Sequence, residues 1–236
     1  MARSLKAAYL LHRFPVLTET FVAGEIYWIR QHDVEVHIFS LLDPRPAPVH
    51  QRAKELLPYA HYSPFLSWEV IKAQIRFLRL SPGRYLRALA KTVRQTFREP
   101  GLLARALVIF PKSVYFAEQM QKLGIDHVHA HFVWLGAIAA GIASDLLGVT
   151  FTIHPHAFDL FTRNQRNVRG QLENASKIVT ISDYNRAFIK ALCPDLAPVD
   201  VEVVRCGIET GRFRPVFGEP REGPVRILAI GSLVEK

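Results

Sequence analysis

The chain has 236 residues, of which 49% are hydrophobic and 22% are charged, the composition of a globular protein with a sizeable core. Two cysteines, Cys193 and Cys206, exclude a disulfide framework and predict unpaired thiols in a reducing cytoplasm. The net charge is +9, and residues 66–122 alone contribute +8, from eleven basic residues and three glutamates. We expect no secretory signal, because the first apolar run is too short.

The chain begins with a strand–helix–strand pattern. An apolar run over 7–11 predicts the first strand, and a helix capped by Thr18 is expected to end near Gln31. Alternation over 34–39 predicts the second strand, and the proline-rich stretch 43–48 predicts a turn. This order is the first unit of an α/β fold.

The basic segment 66–122 predicts three helices, separated by breaks at 81–83 and 100–101. Apolar residues recur at helical spacing in the first of them, at Trp68, Ile71, Ile75 and Leu78. Basic residues recur every three or four positions in the second, at Arg84, Arg87, Lys91, Arg94 and Arg98. Adjacent basic and apolar faces predict binding to an anionic membrane surface, with a solvated helix face as the alternative. We expect no nucleic-acid site, because stacking aromatics are not interleaved with the arginines.

The second half of the chain repeats the alternation of strands and helices. Strands are predicted at 126–131, 149–154, 177–181 and 201–204, and helices at 133–147 and 184–192. We therefore expect a doubly wound, Rossmann-like parallel sheet over 1–206. A linker is predicted at 207–224, followed at 225–236 by the first strand of a second, truncated domain.

Four histidines stand at the ends of two neighbouring predicted strands. His129 and His131 share one strand face, and His154 and His156 follow the next strand. Ligands bind outside the carboxyl ends of parallel strands, so we predict site roles for His131 and His156, and buried structural roles for the other two. A metal site also needs a carboxylate, and Asp159 is the nearest candidate, so a metal hydrolase is the least favoured function.

The segment Thr18-Glu19-Thr20 is predicted to begin a helix just after the first strand. Such a helix end can receive an anion or hydroxyl groups, and the alternative is a simple capped helix with a solvated Glu19. The loop before it lacks the G-x-G-x-x-G fingerprint of dinucleotide-binding proteins.

Six short sequence motifs, in the order in which they occur along the chain, resemble the amino-terminal, acceptor-side half of the GT-B glycosyltransferases of family 4. The motifs are Phe14-Pro-Val-Leu-Thr18-Glu19-Thr20-Phe21, His129-Ala-His131-Phe, His156-Ala-Phe-Asp159, Ile178-Val-Thr-Ile-Ser182-Asp-Tyr-Asn185-Arg186, Val203-Val-Arg-Cys-Gly207-Ile-Glu209 and Ile227-Leu-Ala-Ile-Gly231-Ser232-Leu-Val-Glu-Lys236. These enzymes are retaining transferases of exopolysaccharide, colanic-acid-type and lipopolysaccharide assembly. Their amino-terminal domain holds the acceptor, and their carboxy-terminal domain holds the nucleotide sugar.

The resemblance implies catalytic roles for His156 against the transferred sugar, Glu19 at the floor of the cleft and Asp159 beside the His156 loop. It implies substrate contacts by Phe14, Thr18, Thr20, His131, Ser182, Gly207, Gly231, Ser232 and Lys236. Ser232 stands where many members carry an arginine on the diphosphate, and the E-x7-E pair of the donor site is not within this sequence.

The function implied is transfer of a hexose from a UDP- or GDP-hexose co-substrate to a saccharide or lipid-linked acceptor, with no metal required and no permanently bound cofactor. We expect the transfer to take place in the cytoplasm, at the inner face of the membrane. It would also need a carboxy-terminal donor domain, which is missing from this sequence. The alternatives are a non-enzymatic peripheral protein that binds membranes through the helices of 66–122 and, less favoured, the metal hydrolase.

Overall fold

The computed structural model describes residues 4–46, 48–196, 200–211, 224 and 227–229. Residues Met1–Cys206 form one compact unit, and Gly207–Lys236 form a second. In the second unit, residues 227–229 are not in a strand, and the rest of the strand predicted there lies outside the described residues. The sheet and the site described below belong to the first unit.

The first unit is built on a parallel sheet whose strands have the order β3-β2-β1-β4-β5-β6-β7. The strands are β1 (Lys6–Arg13), β2 (Glu35–Leu42), β3 (Ala60–His61), β4 (His127–His131), β5 (Thr150–His154), β6 (Lys177–Thr180) and β7 (Val201–Val203). The predicted doubly wound sheet is confirmed. Its order reverses between β1 and β4, which is the point where ligands bind in such folds.

Helices cover both faces of the sheet. They are α1 (Thr20–Arg30), α2 (Gln51–Leu56), α3 (Trp68–Leu80), α4 (Pro82–Thr96), α5 (Pro100–Leu123), α6 (Leu135–Leu147), α7 (Ala157–Thr162), α8 (Gln165–Leu172) and α9 (Asp183–Leu192), with a 3-10 turn at Leu57–Tyr59. Alternate residues of β1 enter opposite cores: Leu10 packs beneath α5 and α6, whereas Tyr9 and Leu11 pack beneath α1.

Several short elements and one cap differ from the sequence prediction. The elements α2, β3, α7 and α8 were not predicted, because segments of two to eight residues carry too few periods to stand out. The predicted cap at Thr18 is wrong: α1 begins at Thr20, with Glu19 at the capping position and no side-chain cap. The amide of Glu19 already donates to the carbonyl of Val16 at 3.1 Å, so the chain turns before the helix starts.

Helix α6 lies directly on β1. A Cβ atom at Gly136 would meet the backbone nitrogen of His12 and the backbone oxygen of Leu10, each at 3.2 Å. A larger residue would have to displace this backbone by a few tenths of an ångström, so the close approach favours glycine, and it places the first turn of α6 against the carboxyl end of β1. The apolar run 132–153 is a helix followed by a strand, as predicted, and no helix in the described ranges is long and apolar enough to cross a bilayer.

The predicted basic stripe of α4 divides into two sets. Arg84 donates to the carbonyl oxygens of Leu146 and Leu147 at 3.2 Å, and Lys91 pairs with Asp145 at 2.9 Å, so both hold the end of α6. The other set is Arg87, Arg94 and Arg98, which are exposed; Arg84 is exposed as well and is distinguished by its hydrogen bonds to α6. The reason is that α4 buries Ala88, Thr92 and Thr96, which lie on the same side as Arg84 and Lys91.

The apolar stripe predicted from the sequence of α3 lies on the exposed side of the helix. The side of α3 that packs against the rest of the domain buries Val70, Ala73 and Phe77. The exposed set is Trp68, Ile71, Ile75 and Leu78, and Trp68 is 65% exposed. Lys72 and Arg79 are exposed on the same helix, so this surface is both basic and apolar.

Candidate functional site

The loop between β1 and α1 is fixed by Phe14. The amide of Phe14 donates to Ser40 Oγ at 3.0 Å, and its carbonyl accepts from Tyr62 Oη at 3.0 Å. Its ring is buried in the core beneath α1. Phe14 therefore holds the loop in place, and its predicted contact with substrate stays a prediction.

Strands β4 and β5 end side by side, with His131 opposite His154 in the register. The next residue, Phe132, has a φ of 68°, in the left-handed region that residues other than glycine rarely adopt. Its amide donates to the carbonyl of His154 at 3.0 Å, which holds this turn. Strained residues of this kind cluster at functional sites.

His156 follows the end of β5 by two residues, and its ring reaches His131 at the carboxyl end of β4, the strand that borders the switch point. Its ring stacks on that of His154 with centroids 4.6 Å apart and contacts Phe21 at 4.7 Å. Its Nε2 lies 3.1 Å from His131 Nδ1. Burial, together with the neighbouring His154 and His131, lowers the pKa of His156 to about 3, so this imidazole is neutral at physiological pH.

Asp159 fixes the chain around His156. Its carboxylate is fully buried and accepts from the amides of Val133 at 3.1 Å and His156 at 3.3 Å. Arg163 Nε lies 3.3 Å from the other oxygen. Burial raises the pKa of Asp159 although these hydrogen bonds act to lower it. Asp159 thus joins the end of β4 to the start of α7.

Glu19 lies half-buried at the start of α1, between the exposed Thr18 and Thr20. Burial and the charge of Asp159 raise the pKa of Glu19 to about 7. This partial burial disfavours the alternative of a fully solvated glutamate, and the catalytic role of Glu19 stays a prediction. A carboxyl group with a pKa near neutrality can take up or release a proton under physiological conditions.

Sequence reasoning missed Glu25 and Tyr9, which lie beneath His131. Glu25 extends from α1 towards three histidine rings, and Tyr9 Oη donates to Glu25 Oε1 at 2.8 Å. Burial disfavours the charge of Glu25, but His131 and His154 more than offset it and hold the pKa of Glu25 below its usual range. The available signal was the position of Glu25 one turn after Phe21, on the side of α1 that faces the sheet.

The remaining predicted residues lie elsewhere. Ser182 caps α9 by accepting from the amide of Asn185 at 3.1 Å, at the carboxyl end of β6. Gly207 is exposed and belongs to the second unit. Gly231, Ser232 and Lys236 lie outside the described residues. Substrate contacts by these five residues stay predictions.

A doubly wound sheet with titratable side chains gathered at its switch point defines a ligand-binding α/β domain of the Rossmann type. Residues 18–212 match the family model of Glycosyltransferase Family 4, and the chain belongs to this family. The resemblance stated from the sequence is thereby confirmed at the level of the family.

Two solved structures have a similar fold. A glycosyltransferase from Rickettsia africae ESF-5 has a TM-score of 0.51 at 12% identity, over 89% of this chain and 45% of that one. Anabaena HepE in complex with UDP and glucose has a TM-score of 0.51 at 14% identity, over 88% of this chain and 46% of that one. The chain thus spans less than half the length of either protein. Among curated proteins, none matches this chain.

Proposed function

We propose that the chain is the acceptor-binding domain of a retaining glycosyltransferase. The reaction moves a hexose from a nucleotide sugar to a saccharide or lipid-linked acceptor in cell-surface polysaccharide synthesis. The observation that carries the proposal is the position of His156, Asp159 and Glu19 around the switch point of a Family 4 domain. That edge of the sheet is where this fold class binds its ligands.

His156 contacts the transferred sugar in this proposal. The transition state of glycosyl transfer is oxocarbenium-like, with positive charge on the sugar. An imidazole whose pKa is about 3 stays neutral and can hydrogen-bond the sugar without repelling that charge. Asp159 holds the backbone of His156 and the stacked His154 holds its ring, which meets the requirement for positioning catalysis.

Glu19 takes the proton of the acceptor hydroxyl while that oxygen bonds to the sugar carbon. The bond from this carbon to the diphosphate breaks, and the nucleoside diphosphate leaves from the same face of the sugar, so the configuration is retained. A base works best when its pKa lies near the operating pH, and the pKa of Glu19 is about 7. The exposed hydroxyls of Thr18 and Thr20 flank it and can hydrogen-bond the acceptor saccharide.

An apolar cavity of about 250 Å³ at the carboxyl edge favours a lipid-linked acceptor. It is lined by His12 on β1, Leu41 on β2 and Leu135 on α6, among other residues. Burial and the positive charges of Arg13, Arg163 and Arg45 lower the pKa of His12, and Arg105 lines the cavity itself. An apolar pocket beside several arginines suits a lipid chain joined to a phosphate.

The donor is a UDP- or GDP-hexose, held by a separate donor domain as the family resemblance implies. The match to Family 4 and the nucleotide in the HepE structure support this choice. Gly231, Ser232 and Lys236 are the donor-side residues in this proposal, and Gly207 belongs to the hinge-side loop after β7. The transfer step itself uses no metal ion and no permanently bound cofactor.

The chain works at the inner face of the cytoplasmic membrane in this proposal. The exposed Arg87, Arg94 and Arg98 and the exposed apolar stripe of α3 support it. Basic side chains near an anionic leaflet each contribute about 1 kcal/mol of binding. Arg84 and Lys91 leave this set, because they contact α6.

The test is transfer of a labelled hexose into lipid-extractable product by the complete gene product, with membranes from the source organism and UDP- or GDP-sugars. We expect transfer by the wild type and a loss of about 10²- to 10³-fold for His156→Ala, the range for removal of a group that acts at the transition state. The matched control is His127→Gln, at the opposite end of β4, and it should retain activity.

Unchanged turnover of His156→Ala, with an unaltered circular dichroism spectrum, would contradict the role of His156. Absence of transfer with any nucleotide sugar, combined with retained binding to anionic vesicles, would replace the proposal by the non-enzymatic membrane protein.

A further inference from the structure

Four side chains bring one ligand atom each to a single point between α1, β4 and β5. They are Glu25, His129, His131 and His154, which we call the Glu25–histidine cluster, and the four atoms lie within 4.8 Å of one another. The cluster lies directly beneath His156 but contains none of the residues to which the transfer reaction assigns a chemical step.

Each of the three histidines is separated from Glu25 by about the distance expected between two ligands of a tetrahedral metal ion. The carboxylate oxygens of Glu25 lie 3.3 Å from His131 Nε2, 3.5 Å from His154 Nδ1 and 3.6 Å from His129 Nε2. Charge-assisted hydrogen bonds are shorter, roughly 2.7–2.9 Å. Zinc ligands lie about 2.0–2.2 Å from the ion, so two of them in a tetrahedron are separated by roughly 3.3–3.6 Å.

The nitrogens that face Glu25 lack other partners. His129 Nε2, His131 Nε2 and His154 Nδ1 are buried and make no hydrogen bond with the described part of the protein. The side chains of His129, His131 and His154 are only 9%, 0% and 5% exposed, so bulk water does not solvate them. Buried polar atoms are almost always paired, and three orphans aimed at one carboxylate indicate a shared ligand.

Outer contacts already orient three of the four ligands. Thr152 Oγ1 lies 2.6 Å from His129 Nδ1, and His156 Nε2 lies 3.1 Å from His131 Nδ1. Tyr9 Oη donates to Glu25 Oε1 at 2.8 Å. Metal-bound histidines and carboxylates characteristically use their remaining atoms in this way.

We propose that the Glu25–histidine cluster binds a divalent transition-metal ion of the zinc class. Imidazole and carboxylate suit such an ion, and three histidines with one glutamate fill all four tetrahedral positions, the mark of a structural site. The Glu25 side chain is 29% exposed, which leaves a path for the ion to enter. The ion joins α1 to β4 and β5 and fixes His131, which in turn orients His156.

The test uses the full chain, freed of any histidine tag and stripped of metal with a chelator. Cobalt is the probe, because tetrahedral Co²⁺ has strong visible absorption. We expect Co²⁺ to bind in a stoichiometric amount with a tetrahedral spectrum and Zn²⁺ to displace it. His154→Gln should lose this spectrum. The matched control is His37→Gln, which removes another histidine beside a glutamate, at a hydrogen-bonded distance of 2.9 Å from Glu35.

Two further measurements separate metal binding from loss of the fold. Tyr9→Phe removes only a hydroxyl and should weaken Co²⁺ affinity by about 10- to 100-fold, as for other outer-contact changes. Zn²⁺ should raise the melting temperature of the wild type and of His37→Gln, but not that of a folded His154→Gln. The proposal is overturned if the wild type shows no tetrahedral Co²⁺ spectrum, or if His154→Gln keeps it.

Discussion

Two regions of this domain carry many charged and titratable side chains, and they use them in opposite ways. At the switch point, Asp159 is fully buried and His156 is fixed by hydrogen bonds and stacked rings. On the outer face of α3 and α4, Arg87 and Arg94 are exposed to solvent. The same kinds of charge therefore act in low dielectric at one place and in water at the other.

Burial decides what each region can do. At the switch point a carboxyl group meets defined donors, so changing one atom leaves buried partners unpaired. On the helical face each charge adds a small, salt-screened increment, so only several together have a large effect. The predictions below separate these two behaviours.

The largest expected effect on binding or stability lies on the helical face and requires three substitutions together. The variant Arg87→Gln/Arg94→Gln/Arg98→Gln should bind anionic vesicles more weakly by about 3 kcal/mol, since each basic side chain contributes about 1 kcal/mol. Cosedimentation at low salt measures this as a drop of roughly 100-fold in the partition coefficient. Failure of the wild type to sediment with anionic vesicles at low salt would remove the membrane role.

A single substitution at the switch point should lower the free energy of unfolding by nearly as many kcal/mol as the triple variant loses in vesicle binding. Asp159→Ala leaves the buried amides of Val133 and His156 without an acceptor, and we expect a loss of about 2 kcal/mol in the free energy of unfolding. Urea denaturation measures it. The control is Asp183→Ala, whose exposed ion pairs with Arg186 and Arg205 should contribute under about 1 kcal/mol. Equal losses would mean that burial does not set the difference.

Substitution of Glu19 should change the free energy of unfolding by a smaller amount that depends on pH. Its pKa rises from 4.5 to about 7 on folding, so the folded state disfavours its ionised form. The contribution of Glu19 to the free energy of unfolding is fully present below pH 4.5, and it is lost as the pH rises through 7. Glu19→Gln avoids this loss, which we put at about 1 kcal/mol after allowing for partial exposure.

Thermal melts at two pH values test this expectation. The advantage of Glu19→Gln over the wild type should be greater at pH 8 than at pH 4 by roughly 2–4 °C, the shift that about 1 kcal/mol produces in a domain of this size. A pH-independent difference between the two proteins would show that Glu19 titrates as in water.

Arg84 should give the smallest effect and mark the boundary between the two regions. Arg84→Gln removes two hydrogen bonds to the last carbonyls of α6 and should lower the free energy of unfolding by about 0.3–1 kcal/mol. Vesicle binding should not change, because this side chain contacts α6. If Arg84→Gln weakened vesicle binding as much as Arg87→Gln does alone, Arg84 would belong with the membrane-facing residues.

Much of the fold could be predicted because its signals are local. Alternating residues identified β2, and helical spacing identified α1 and α4 to within a few residues. Elements such as α7, with six residues, complete fewer than two helical turns and left no periodic signal. The family followed from short strings such as the one that contains Glu19, and it was confirmed over residues 18–212.

The site could be predicted only in part. The strand-end positions of His131 and His156 followed from the alternation of β4 and from the end of β5. The approach of Glu25 to those histidines did not, because α1 is about a hundred residues distant in sequence from β4. That contact depends on β4 lying next to β1, and strand order is a property of the whole sheet.

The sequence by itself determined which segments are strands and helices, the family, and the presence of titratable groups at two strand ends. Tertiary structure decided which of those groups meet. It rotated α4 so that Arg84 and Lys91 contact α6 while Arg87 and Arg94 face solvent. The physical reason is that periodicity is set by the local backbone, whereas helix rotation and strand order follow from the packing of surfaces distant in sequence.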